Sequence, residues 1–228
     1  AVRALNDVLD EGIEKHPLDE QVKAAKRWRQ IGLGIFGLAD ALIKMGIKYG
    51  SHDALFFCDN LMTRILDRAL YTSAMLVGFD KDGHYKPPVL MPEQVMKSSF
   101  YKKHANCLSA STTEAVQTHG LRNATLLAIA PTGTIATMLN VSTGAEPNFA
   151  FSYNRRTQSL HGEDVTYKVY AKIAQDYMDE HSLTDEEQLP DYFISAQDIP
   201  YVNRIEMQAI LQKHIDSAIS STINLPAS

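Results

Sequence analysis

Apolar side chains recur three or four residues apart along much of the chain. This spacing places them on one face of a helix, which packs on a core while the opposite face meets water. Polar, helix-prone stretches and a Ser/Thr-rich helix start add further helices between the amphipathic ones. The predicted helices cover residues 1–13, 18–29, 36–45, 53–77, 93–100, 135–139, 163–178 and 203–220, and another runs from a cap within 109–113, through Glu114 in its first turn, to residue 119. The pattern therefore indicates a helix-rich protein.

Short apolar runs bounded by turn residues predict strands between these helices. The clearest run is 124–130, which has the length of a buried strand. Shorter candidates are 31–35, 192–194 and 222–225. Residues 151–160 mix apolar and polar side chains and suit either a strand or an extended loop.

The sequence breaks at Pro131–Thr134, directly after the 124–130 run. A strand, a tight turn and a helix start point free backbone N–H groups at one spot, where the helix dipole favours an anion. Thr132 is placed to cap the helix, Gly133 allows a close approach to the backbone, and Thr134 adds a hydroxyl donor. On the pattern alone, a capped helix without any ligand explains the same residues.

A second glycine-rich stretch, Gly32–Gly37, matches the dinucleotide fingerprint G-x-G-x-x-G, and Asp53 follows at a suitable distance. The preceding residues, 26–30, are too charged for the buried strand that such a unit needs. Asp53 follows a Gly-Ser-His turn, which is typical of a helix cap rather than of a second strand. The glycines therefore predict close packing of a short strand on the next helix, not a nicotinamide or flavin site.

Composition narrows the class of protein. The chain has 228 residues, is 45% hydrophobic and 21% charged, and carries a net charge of −5. This charge gives no electrostatic basis for binding nucleic acid or a membrane surface, and no apolar run approaches a bilayer span. Two cysteines, Cys58 and Cys107, form neither a disulfide framework nor a metal cluster, which suits a reducing compartment. We expect a cytoplasmic protein without nucleic-acid or membrane partners.

Three sequence blocks, spread over nearly the whole chain, occur in the order that a known family shows. In chain order, they are Arg29–Asp40, then Arg122-Asn123 with Ala130–Ile135 and Ser142–Pro147, and finally His214–Ser220 with Thr222–Pro226. Together these blocks resemble the large chain of ribonucleotide reductases. The Pro-Thr-Gly-Thr-Ile form of residues 131–135 most resembles the adenosylcobalamin-dependent class, with the metal-subunit-dependent class as the alternative.

The resemblance implies a fold and an activity. The fold is α/β: residues 1–228 form a single partial domain, about the second half of a ten-stranded α/β barrel. The full-length enzyme converts ribonucleotides to 2′-deoxyribonucleotides by radical chemistry. Its implied cofactor is adenosylcobalamin, and its implied partners are a ribonucleoside di- or triphosphate, the rest of the catalytic chain and a thioredoxin-type reductant. A homo-oligomer is also expected.

The resemblance also assigns a substrate site. The residues expected to hold the substrate phosphates are Ala130, Pro131, Thr132, Gly133, Thr134 and Ile135. Further residues that line the site in this interpretation are Arg122, Asn123, Glu146 and Pro147.

The catalytic centre of the family is not expected within this chain. The family's Asn-x-Cys-x-Glu loop has no counterpart in the sequence, so neither a catalytic residue nor a metal ligand is assigned. Since the chain starts at Ala1 without a methionine, we expect a piece of a longer polypeptide, inactive by itself. The alternative function is a non-catalytic nucleotide-phosphate binding or assembly module that complements a separate chain.

Overall fold

The computed structural model describes residues 1–157 and 165–223. Its helices are α1 (Val2–Ile13), α2 (Asp19–Trp28), α3 (Leu38–Lys44), α4 (His52–Met75), α5 (Pro92–Lys97), α6 (Ser99–His104), α7 (Ala110–His119), α8 (Gly133–Leu139), α9 (Lys172–His181) and α10 (Tyr201–Gln212). Its strands form two antiparallel hairpins, β1 (Gly78–Phe79) with β2 (Tyr85–Lys86) and β3 (Ser152–Thr157) with β4 (Val165–Tyr170). No helix among these residues is long and apolar enough to cross a membrane.

The chain divides into two compact units. The first contains Ala1–Gly34, Phe57–Ile129 and Ile210–Ile219, and the second contains Ile35–Phe56, Ala130–Ala209 and the residues from Ser220 onward. The described residues do not close a barrel.

A buried extended segment lies at the centre of the first unit. Leu127 forms a parallel bridge with Leu33, and Ile129 forms another with Ile219. Leu127 and Ile129 are 0% and 2% exposed, as expected for a buried strand, but of the strand predicted over 124–130 only these two residues form bridges, and Ala130 is exposed. The segment is held by these isolated bridges rather than by a continuous ladder.

Asp216 completes the hydrogen bonding of this segment. Its two carboxylate oxygens accept hydrogen bonds from the backbone N–H groups of Leu126 and Leu127, each at 2.8 Å. Buried N–H groups without an acceptor are strongly destabilising. The carboxylate of Asp216 supplies the acceptors that the carbonyl groups of a neighbouring strand would otherwise provide. Burial raises the pKa of Asp216, while the two backbone N–H groups oppose that rise.

The glycines at 32–37 serve close packing, but Gly34 packs on the central segment rather than on the following helix as predicted, and the strand predicted over 31–35 is present only as the bridge at Leu33. A Cβ atom built on Gly34 would lie 2.2 Å from the carbonyl oxygen of Ala128. Real Cβ atoms never approach a backbone oxygen so closely, so only glycine fits here without displacing the central segment.

The second half of the chain departs from several predictions. The helix predicted over 163–178 begins only at Lys172, because residues 165–170 form β4 in register with β3; residues 163–164 lie outside the described part. Val165 and Val169 fit a helical stripe, but the Val-Thr-Tyr-Lys-Val-Tyr sequence is rich in strand formers and has an antiparallel partner. The strand expected over 151–160 is present as β3 in its described part.

Two further strand predictions and the predicted end of one helix also differ from the structure. Residues 192–194 form a turn and an irregular stretch, since Tyr192 and Phe193 pack with Phe151 on the small core around Ile43 and Ala174. The helix predicted over 203–220 ends at residue 212. Of the strand predicted over 222–225, residues 222–223 are not in a strand, and residues 224–225 lie outside the described part.

The fit of Gly34 can be tested by substitution. We expect Gly34→Ala to lower the free energy of unfolding by about 3 kcal/mol, because the new methyl group overlaps a backbone carbonyl. Gly12→Ala is the control: Gly12 lies in α1 with nothing within 4 Å of its Cβ position, so alanine should stabilise the helix by about 0.5–1 kcal/mol. Urea unfolding measures both, and an unaffected Gly34→Ala would contradict the close approach.

A buried histidine of the first unit predicts a pH dependence. His214 is 0% exposed, and its Nε2 lies 2.6 Å from a carboxylate oxygen of Asp59. Burial lowers the pKa of His214, the bond to Asp59 offsets part of this, and Lys213 and His104 add to the lowering.

Because the folded-state pKa of His214 lies below the unfolded value, the unfolded chain takes up the proton first as the pH falls. The resulting stability is complete above about pH 6.5 and is lost as the pH falls through the folded-state pKa. Thermal unfolding between pH 7.5 and pH 5 should show this slope. His214→Gln should flatten it, whereas His52→Gln, at an exposed site, should leave it unchanged.

Candidate functional site

The predicted phosphate loop lies on the surface of the second unit. Ala130, Pro131, Gly133, Thr134 and Ile135 are exposed, and Thr132 is half-buried. The first hydrogen bond of α8 runs from the N–H of Ala136 to the carbonyl of Thr132 at 2.9 Å. The N–H groups of residues 133–135 precede this bond and, as at any helix start, have no acceptor within the helix. The loop therefore offers several backbone donors to solvent or to a ligand.

Thr132 occupies the capping position of α8 but does not cap it. Its backbone is left-handed (φ 52°, ψ 23°), and its side chain makes no hydrogen bond to the helix N–H groups. Its Oγ1 instead accepts a hydrogen bond from the N–H of Gly144 at 2.8 Å. This corrects the prediction of a side-chain cap, because a capping side chain reaches the helix N–H groups from an extended backbone and the backbone of Thr132 is left-handed. The hydroxyl proton still serves as a donor.

Gly133 leaves an open approach to the loop. No atom lies within 4 Å of the position that its Cβ would take, and its backbone lies outside the left-handed region. A side chain is therefore tolerated sterically at this residue. Any effect of a substitution on ligand binding would come from what the new side chain does to the ligand.

The second family-like stretch, 142–147, packs against other parts of the second unit. Ala145 accepts a hydrogen bond from the Tyr49 hydroxyl at 2.8 Å. Glu146 forms an ion pair with Arg204, whose side chain is 6% exposed, and also accepts the N–H of Thr222 at 3.0 Å. Both oxygens of Glu146 are thus engaged within the protein. Pro147 is buried.

Arg122 and Asn123 belong to the first unit. Asn123 is 0% exposed, and its side-chain amide bonds to Asn6, to Ser73 and to the carbonyl of Arg29. Arg122 donates to the carbonyl of Pro87 at 2.8 Å, and its pKa is lowered by burial and by the nearby Arg29 guanidinium. Asn123 therefore acts as a buried connector, whereas residues 130–135, 146 and 147 lie together in the second unit.

Sequence reasoning missed three residues that support the site. Asp40 bonds both Ser142 and Asn148, and Tyr49 and Arg204 hold the 145–146 stretch. Asp40 ends the family-like block 29–40, so its place in that block was a usable signal. Tyr49 and Arg204 had no local signal, because their partners in the site lie 96 and 58 residues away in sequence.

The two cysteines have opposite environments. Cys58 is fully buried, and burial raises its pKa to about 12. Cys107 is a free, exposed thiol. Within the described ranges, no group of three or more His, Cys, Asp or Glu side chains is arranged to hold a metal ion.

Comparison with known proteins gives the family. The sequence matches the family model described as the barrel domain of ribonucleotide reductase over residues 1–228. This chain belongs to the ribonucleotide reductase barrel family. The expected fold class, a helix-rich part of the α/β barrel of this family, is thereby confirmed.

The relatives are reductases several times longer than the chain. The vitamin B12-dependent ribonucleoside-diphosphate reductase of Mycobacterium tuberculosis is 31% identical over 242 residues, covering 100% of this chain and 31% of that protein. The vitamin B12-dependent ribonucleoside-diphosphate reductase of Thermoplasma acidophilum is 28% identical, covering 99% of this chain and 28% of that protein. The ribonucleoside-diphosphate reductase subunit alpha of Chlamydia trachomatis is 29% identical, covering 99% of this chain and 24% of that subunit.

A solved structure shows the same fold. The alpha subunit of the class Id ribonucleotide reductase of Actinobacillus ureae superposes with a TM-score of 0.61 at 22% identity. The match covers 92% of this chain and 37% of that subunit.

The two thiols should differ in reactivity. With the folded protein at pH 8, we expect iodoacetamide to alkylate Cys107 and to leave Cys58 unmodified, since only the thiolate reacts and Cys58 is both buried and neutral. Peptide mass mapping would locate the label, and in urea both thiols should react. Rapid labelling of Cys58 in the folded protein would contradict its burial.

Proposed function

We propose that the polypeptide containing this chain is a ribonucleotide reductase, and that residues 130–135 bind the phosphates of its ribonucleotide substrate. The membership of the family supports the first part. The carrying observation for the second part is the exposed loop between the buried segment at 127–129 and α8, with the donors of 133–135 at its surface. Because the relatives are named diphosphate reductases, we propose a ribonucleoside diphosphate as the substrate.

Binding at this loop would rest on neutral donors. The N–H groups of Gly133, Thr134 and Ile135 are close together in the first turn, where hydrogen bonds to phosphate oxygens replace missing helical partners. The hydroxyl of Thr132 donates its proton to the same ligand, since Gly144 already occupies one acceptor position. The chain thus contributes orientation of the substrate, while the radical chemistry belongs to residues outside it.

Clefts among the described residues can be compared in size with a corrin. Two surface clefts, of about 340 and 370 Å³, are lined by residues around Phe151 and around Cys107, and both are far too small for a corrin. The described part also lacks a cluster of metal-binding side chains. We therefore derive no step through the cofactor, and adenosylcobalamin is proposed for the full-length enzyme on the names of its relatives.

The remaining expectations follow from the family. We propose a cytoplasmic, homo-oligomeric enzyme that uses a thioredoxin-type reductant and needs the rest of the catalytic chain. A radical supplied by a metal subunit is the alternative to cobalamin, since the Chlamydia trachomatis relative is named as a subunit. Activity of the purified enzyme with adenosylcobalamin and a dithiol reductant, in the absence of a metal subunit, would separate the two. An active enzyme would also exclude the non-catalytic module.

The phosphate loop is tested by adding charge without disturbing the helix. We expect Gly133→Asp in the complete enzyme to weaken binding of a ribonucleoside diphosphate at least about tenfold relative to Gly133→Asn. Both side chains fit the open space at this residue, and they have nearly the same shape. An aspartate at a helix N-terminus stabilises the helix, so weaker binding would come from repulsion of the phosphates.

Equilibrium binding of the labelled nucleotide measures this difference, and thermal unfolding checks that both variants are folded. Equal affinities for Gly133→Asp and Gly133→Asn would place the phosphates elsewhere.

A further inference from the structure

One carboxylate in the second unit holds both ends of the segment 142–148. Asp40 lies in the first turn of α3 and is 6% exposed. Its Oδ2 accepts a hydrogen bond from the N–H of Ser142 at 3.0 Å, and its Oδ1 accepts one from Nδ2 of Asn148 at 2.9 Å. A buried carboxylate with two such donors has little freedom to move, so it fixes the separation of the two ends.

The start of the segment is also tied to the backbone around Asp40. The N–H of Asp40 donates to Oγ of Ser142 at 3.3 Å, and the N–H of Gly37 donates to the carbonyl of Ser142 at 2.8 Å. Asp40 and Ser142 therefore each bind the other's backbone N–H through a side chain. This reciprocal pair fixes the position of Ser142, the first residue of the segment, against the start of α3.

The middle of the segment meets the phosphate loop. The N–H of Gly144 donates to Oγ1 of Thr132 at 2.8 Å. Thr132 is branched at Cβ and has a left-handed backbone, a conformation that is strained for such a residue and persists only where the surroundings impose it. The hydrogen bond from Gly144 is the contact that reaches the side chain of Thr132.

We propose that Asp40 is a positioning residue for the substrate phosphates. It acts through the segment 142–148 and the Gly144–Thr132 hydrogen bond, which direct the hydroxyl proton of Thr132 and maintain the shape of the loop. This inference rests on the function proposed for residues 130–135. Asp40 itself contacts Ser142 and Asn148 and is not a ligand of the substrate.

Asp40→Asn is a sharp test because it keeps the shape of the side chain. The amide has one oxygen, so it accepts from either Ser142 or Asn148, and its NH₂ group then faces the other donor. The amide of Asn148 can turn its oxygen toward that NH₂ group, so both contacts persist as neutral hydrogen bonds, which are about half as strong as those to a carboxylate. In the complete enzyme we expect the Kd for a ribonucleoside diphosphate to rise about tenfold, as for the loss of the carboxylate charge that strengthens the two bonds.

The matching nucleoside without phosphates separates positioning from a general defect. Its Kd should stay unchanged in Asp40→Asn, since the effect passes through the phosphate loop alone. In turnover, KM for the diphosphate should rise more than kcat falls. A variant that weakens the diphosphate and the nucleoside equally would overturn the inference.

Two further variants keep the test decisive. Asn148→Ala releases one end of the segment and leaves the Asp40–Ser142 pair, so it should also weaken diphosphate binding selectively, and it decides the matter if Asp40→Asn does not fold. Ala174→Gly, in the core of α9, is the control for lost stability in the same unit. It should lower the unfolding temperature without changing the ratio of the two Kd values.

Thr132→Val separates this inference from the proposed function. Valine has nearly the same shape and lacks the hydroxyl, so diphosphate affinity should fall, and Asp40→Asn should have no further effect in that background. Unchanged affinity in Thr132→Val would overturn the role of the Thr132 hydroxyl, and with it that of Asp40, while the backbone donors of 133–135 are judged separately by the Gly133 variants. A different outcome would overturn only the role of Asp40. In it, Thr132→Val weakens diphosphate binding, while Asp40→Asn either leaves the Kd unchanged or raises it by the same factor with and without the Thr132 hydroxyl.

Discussion

Two buried backbone N–H groups set the main constraint on the first unit. Leu126 and Leu127 lie in an extended segment that is paired only at isolated bridges, and Asp216 accepts from both. A segment with unsatisfied donors would not remain buried, so the packing of its apolar side chains depends on this carboxylate. The absence of a side chain at Gly34 is the complementary requirement, since it lets the neighbouring backbone reach the segment.

The second unit uses the same principle at its surface. Buried or half-buried carboxylates of Asp40 and Glu146 bind backbone N–H groups of irregular segments that lack strand partners. Arg204 neutralises Glu146 and also bonds the Tyr49 hydroxyl at 3.1 Å. Irregular backbone in this unit is thus ordered by charged side chains, Asp40 from α3 and Glu146 from the irregular stretch after α8.

Much of the helical content was predictable because it follows from local periodicity. The apolar stripes of α1 and α4 gave their positions to within a few residues, and α7 followed from its Ser/Thr-rich start and the glycine after it. Strand β4 was missed because Val165 and Val169 satisfy a helical and an alternating pattern equally, and the deciding partner, β3, is not local. The strand prediction over 192–194 was wrong for a similar reason, since the aromatic residues there pack on a core built from distant segments.

The candidate site was predictable as a loop, and its support was not. The Pro-Thr-Gly-Thr stretch was predictable as a loop because it interrupts the sequence directly after an apolar run and because it resembles the family's motif. The bond from Gly144 to Thr132 and the bonds of Asp40 depend on contacts between segments that are 12 and 102 or more residues apart. Spacing rules describe neighbours on one element, so they carry no information about such pairs.

The occupied oxygen of Thr132 has a thermodynamic consequence. A free threonine hydroxyl rotates among several directions, and a ligand that uses it must restrict that rotation, which lowers the entropy of the complex. With Gly144 bound to the oxygen, folding restricts the rotor before any ligand arrives. The loop is then preorganised toward species rich in acceptors, and water, which also brings two protons of its own, is the poorer match.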